Sequence, residues 1–193
     1  MNWDELCDAL DDIDDEPQRE QRLSEYRRML ATFSPGQEGR AETLSRIADE
    51  LAADDRLDEA RSTYEEVADD GGRTILSPLA GLLDIALRQE DEARVDELLA
   101  LLLARSRADQ LVVGDYEWIA EALEESGRLR QALRWFTIPL RDIQPGDIDL
   151  MPEVVLEGRW RVRRALGLPI DAYDDARDVW HEINDDAAAA ATP

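Results

Sequence analysis

Apolar residues recur along this chain at the spacing of a buried helix face. Between Val113 and Asp147 they fall at Tyr116, Ile119, Ala120 and Leu123, the i, i+3, i+4, i+7 stripe of an amphipathic helix. Beyond Gly127 a second stripe runs Leu129, Ala132, Leu133, Phe136. The pattern predicts two helices joined by a tight turn, neither able to bury its apolar face without a neighbour. The unit recurs over Ala41 to Arg73, as Leu44, Ile47, Ala48 and Leu51 and then Leu57, Ala60, Tyr64 and Val67. A looser copy lies between them, with Leu79, Leu82, Leu83 and Ala86 followed by Val95, Leu99 and Leu102. The repeat period is about 34 to 37 residues, which predicts stacked helix hairpins.

The flanks extend the pattern. Residues 3 to 13 and 17 to 33 read as a helix pair, with Trp3, Leu6, Leu10 and Ile13 facing Leu23, Tyr26, Leu30 and Phe33 across the acidic break from Asp14 to Glu16. Ser77-Pro78 is a helix start, since proline lacks the N–H that the first helical position leaves unused. Pro139 predicts that its helix kinks or stops near Thr137. Leu98 to Leu103 is apolar on most sides, which predicts a central helix. Pro152 to Leu166 and Ile170 to Ile183 read as a closing pair, the last with Tyr173, Ala176, Val179, Trp180 and Ile183 on one face. From Asp185 the chain is small and polar, and is expected to be a frayed, disordered tail.

Ile47-Ala48, Leu51, Ala60 and Tyr64 in one copy, and Tyr116, Ile119-Ala120, Leu123, Gly127, Ala132 and Phe136 in the other, resemble the tetratricopeptide repeat over roughly 105 residues. The resemblance implies an all-α fold, a short right-handed α-solenoid of about ten helices with N- and C-terminal capping helices. Residues 1–36 would be an N-terminal helical pair, a cap or a degenerate repeat, 37–147 three repeats, 148–184 a C-terminal hairpin cap and 185–193 the tail. It also implies that Ala60 and Ala132 let the helices of a hairpin approach, and that Tyr64 and Phe136 fill the gap to the next hairpin. Leu44 stands where the family favours tryptophan, and Pro139 where a small apolar residue is usual.

Composition then narrows function. The 193 residues are 44% hydrophobic, enough for a core without disulfides. The start, MNWDELCDAL, lacks a basic region followed by an apolar one, and the longest apolar run, Leu98 to Ala104, falls far short of the ~20 residues of a membrane span. A cytoplasmic protein without a membrane segment is expected. Cys7 sits in the stripe Trp3, Leu6, Leu10 and reads as a small hydrophobe rather than a nucleophile. With 46 acidic residues against 22 basic ones, all arginine, the formal charge is -24. Such a field repels nucleic acid and anionic membranes and favours cationic partners, so direct nucleic-acid binding is not expected.

Catalytic chemistry finds little support. His181 is the single histidine, Gly71-Gly72 lacks the Lys-Ser/Thr of a phosphate loop, and no serine or cysteine stands in a nucleophile motif. The chain reads as no enzyme, with no cofactor and no metal site. Asp11, Asp12, Asp14, Asp15 and Glu16 lack the turn glycine of a calcium loop and read as a solvated linker or helix end. Arg159, Arg161, Arg163 and Arg164 surround Trp160, but Asp171, Asp174, Asp175 and Asp178 on the next helix are expected to pair with them internally.

What the resemblance leaves for binding is a concave face lined by first helices. Its positions here are Glu42, Arg46 and Asp49, then Asp84 and Arg88, then Glu117, Trp118, Glu121 and Glu125. That implies an adaptor or regulatory scaffold that binds a basic protein segment in an acidic groove, with Trp118 as apolar anchor. Trp118 packing beneath the middle repeat is the plainer alternative. A different reading of the charge is an acidic decoy that mimics nucleic acid and occupies the binding face of a basic protein.

Overall fold

The computed structural model describes residues 2–190, and side chains as far as Ile183. The described residues form ten α-helices and no strand, so the chain is all-α. The helices are α1 (Trp3–Asp14), α2 (Arg19–Leu30), α3 (Arg40–Ala53), α4 (Leu57–Asp70), α5 (Pro78–Arg88), α6 (Glu92–Arg107), α7 (Val113–Glu125), α8 (Leu129–Thr137), α9 (Glu153–Ala165) and α10 (Ala172–Ala190). They fall into two compact units, α1 to α6 up to Gln110 and α7 to α10 from Leu111 onward. In the first unit each helix packs on the next in the chain, and α3 also reaches α5. In the second, α7, α8 and α9 pack mutually and α10 lies on α9.

The two clearest hairpins are built alike. Ala60 and Ala132 are completely buried, and one turn further on so are Tyr64 and Phe136. Each ring lies on a glycine of the following helix. A Cβ placed on Gly81 of α5 would come within 2.3 Å of the Tyr64 ring, and one on Gly158 of α9 within 2.2 Å of the Phe136 ring. The α8·α9 joint thus repeats the α4·α5 joint, and α9, read from the sequence as part of a cap, receives an aromatic ring as α5 does.

The hairpin turns are also equivalent. α3 and α4, α5 and α6, and α7 and α8 are each joined by three residues whose middle member is left-handed: Asp55 (φ 60), Glu90 (φ 56) and Gly127 (φ 77). In each, the following N–H reaches back across the turn, Arg56 to Leu51 O at 2.9 Å, Asp91 to Ala86 O at 3.0 Å and Arg128 to Leu123 O at 2.8 Å. This closes the helix end by satisfying its last carbonyls.

α8 stops at Thr137, and Pro139 sits in a 3₁₀ turn, as its missing N–H requires. Three expectations are corrected. α6 is not buried all round: it packs on α5 and buries Val95, Leu98 and Leu102, while Leu101 stays 45% exposed. On α10 the inward side carries Tyr173, Ala176, Arg177, Trp180 and His181, and Val179 and Ile183 face out. The α10 backbone is helical to Ala190, where a tail was expected from 185, because alanine has the highest helix propensity. Residues 191–193 of that expected tail lie outside the described residues.

Candidate protein-binding surface

In the first unit the expected groove residues are drawn into holding the helices together. Glu42 of α3 is buried, and its carboxylate accepts from Arg46 Nε at 3.1 Å and from the Ile75 N–H at 2.8 Å. Arg46 donates on through Nη1 to Asp14 of α1 at 2.9 Å. The other Asp14 oxygen accepts from the Tyr26 hydroxyl of α2. Asp14 is the last residue of α1, so the acidic run begins at a helix end, one of the two readings the sequence allows. The two bonds to Glu42 satisfy a carboxylate that burial would otherwise penalise.

Asp49 of α3 is half-buried and accepts a hydrogen bond from the Tyr64 hydroxyl. Burial pushes its carboxyl up to about 6, against the lowering pull of Tyr64 and Arg46. The Tyr64 phenol is raised far above its usual range, by burial first and by Asp49 second. On α5, Arg88 donates to Ala52 O and to Asp55 Oδ1, both at 2.9 Å, and stands 3.7 Å from Asp84. Glu42, Arg46, Asp49 and Arg88 are thus engaged within their own unit.

The α7 positions differ. Glu117, Trp118, Glu121 and Glu125 share one side of the helix, opposite the buried Tyr116, Ile119, Ala120 and Leu123. Glu117, Trp118 and Glu121 are half-buried and Glu125 is exposed. The counter-charge on this side comes from α9. Arg161 grips Glu124 with Nε at 2.8 Å and Nη2 at 2.7 Å, and only the weaker 3.5 Å contact reaches Glu121. Burial, and then the neighbouring Glu121, hold the Glu117 carboxyl above its usual range, with Arg161 pulling the other way.

The basic cluster of α9 is mostly internal. Arg159 is buried and pairs with Asp171 at 2.6 Å and Asp174 at 3.3 Å, and Arg163 meets the same two carboxylates. These are the pairings the sequence suggested. Arg161 departs from them by turning to α7, a direction readable only once α7 and α9 are packed together. Arg164 and Arg177 stack on Trp160 with their guanidinium carbons 4.9 and 4.1 Å from the ring centre.

The Cys7 thiol is raised, by burial first and by Glu42 next, which disfavours the thiolate. Among the described residues no three His, Cys, Asp or Glu side chains are grouped to hold a metal ion, and no helix is long and apolar enough to cross a membrane. No family model matches this chain, and no curated protein matches its sequence.

Proposed function

We propose that this chain is a tetratricopeptide-like interaction module, its hairpins those of a short right-handed solenoid with capping helices, and that it serves as an adaptor or scaffold for a basic protein segment. The docking side is that of α7, with Trp118 as the apolar anchor and Glu117, Glu121 and Glu125 setting the charge preference. One observation carries this reading: Glu117 and Glu121 repel each other beside a half-buried tryptophan, while Arg161 grips Glu124 with two bonds and reaches Glu121 only at 3.5 Å. A cation arriving there relieves like-charge repulsion. The acidic residues of the first unit contribute less, because Glu42 and Asp49 already have partners.

The test is the binding of a labelled arginine- and proline-containing peptide, which stays extended, to the full chain near physiological salt. Trp118→Ala weakens binding at least about tenfold, the loss of a buried aromatic anchor. Unchanged affinity in that variant, together with a steep loss on adding salt, would instead favour the charge-only decoy.

A further inference from the structure

α10 closes the second unit on one side only. Its inward side holds α9 through Ala176 and through Arg177, which donates from Nη2 to Glu157 at 2.9 Å. Its outward side carries Val179 and Ile183, one turn apart and 40% and 53% exposed, beside the exposed carboxylates Asp175, Asp178 and Glu182. Of these, Asp178 is held by Arg177 of its own helix.

Other helix joints in this chain show what such a side is complementary to. At the α2·α3 joint, Arg22 forks onto Glu50 at 2.6 and 2.9 Å next to the buried Leu23. At the α9·α7 joint, Arg161 forks onto Glu124 next to the buried Val162. At the α10·α9 joint, Arg177 meets Glu157 next to the buried Ala176. In each case one helix brings an arginine beside an apolar residue, and the other brings the carboxylate. The outward side of α10 has the apolar surface and the carboxylates.

We propose that the outward face of α10 docks an amphipathic helix of another protein, one that presents apolar residues one turn apart with arginine or lysine beside them. Val179 and Ile183 bury the apolar residues, and Asp175 and Glu182 take the cations. The occupant is a different protein rather than a second copy, because two chains of formal charge -24 repel each other. This site is separate from the α7 side, and neither reading depends on the other.

The probe is a labelled helix-forming peptide with leucines one turn apart and arginines flanking them, titrated into the full chain. The parent binds it. Val179→Ser with Ile183→Ser weakens binding at least tenfold while the helical circular dichroism is unchanged, and Trp118→Ala leaves it intact. Asp175→Arg with Glu182→Arg reverses the preference toward a peptide with glutamate in place of arginine. The proposal is overturned if the parent does not bind, if both α10 variants bind as the parent does, or if Trp118→Ala alone removes binding. Concentration-dependent dimers that the serine pair dissolves would overturn it in favour of a second copy.

Discussion

Asp49 is the residue whose chemistry departs furthest from what its neighbours in sequence suggest. It was read as a groove carboxylate, yet it lies under the Tyr64 hydroxyl with its carboxyl raised from the usual 3.8 to about 6. A carboxyl that holds its proton more tightly in the folded chain adds stability below its unfolded value, and that stability is lost as pH rises through about 6. Asp49→Asn keeps an acceptor for Tyr64 and removes the buried charge. In urea unfolding at about pH 7.5 it should stabilise the protein by about 1 to 2 kcal/mol, a figure set below the full linkage value because Asp49 is only half-buried, and near pH 4 the difference should vanish. Destabilisation at both pH values would show that the carboxylate is needed as a charge. The seats of Ala60, Ala132, Tyr64 and Phe136 were legible because small and aromatic residues repeat at fixed spacing. The burial of Glu42 was not, since its partners Asp14, through Arg46, and the Ile75 N–H come from distant parts of the chain.

At the scale of elements, the joints between hairpins rest on rings laid over glycines. Alanine is a better helix former than glycine by about 1 kcal/mol, so Gly81→Ala and Gly158→Ala would stabilise an isolated helix. Here the added carbon would lie 2.3 and 2.2 Å from the Tyr64 and Phe136 rings, far inside contact distance. Overpacking wins, and each substitution should cost at least about 2 kcal/mol net in urea unfolding of the full chain. Phe136→Leu should recover part of the loss in Gly158→Ala, and both alanine variants falling within about 0.5 kcal/mol of the parent would contradict this packing. Helix count, the stop before Pro139 and the turn at Gly127 could be read directly, since proline and glycine announce themselves. The matching turns at Asp55 and Glu90 could not, because no glycine marks their left-handed backbones. Periodicity also failed to orient α10, where Val179 and Ile183 fit an inward stripe as well as His181 does until Glu157 of α9 is in place.

For the molecule as a whole, the sequence pointed to one run of three repeats, and the structure divides between the second and third of them. No proline or glycine marks that boundary, and the left-handed residue beside it is Asp109. The acidity was visible from the start, but its distribution was not. Glu50, Asp70, Asp171 and Glu124 are each held by an arginine of their own unit, and on the α7 side Glu121 has Arg161 at 3.5 Å while Glu117 is raised by burial and by Glu121. The direct measurement is an amide and indole chemical-shift map of the full chain titrated with the arginine- and proline-containing peptide near physiological salt. The account predicts that the shifts concentrate between Glu117 and Glu125 and on the Trp118 indole N–H. Shifts spread evenly over acidic residues of every helix, with Trp118 unmoved, would contradict it.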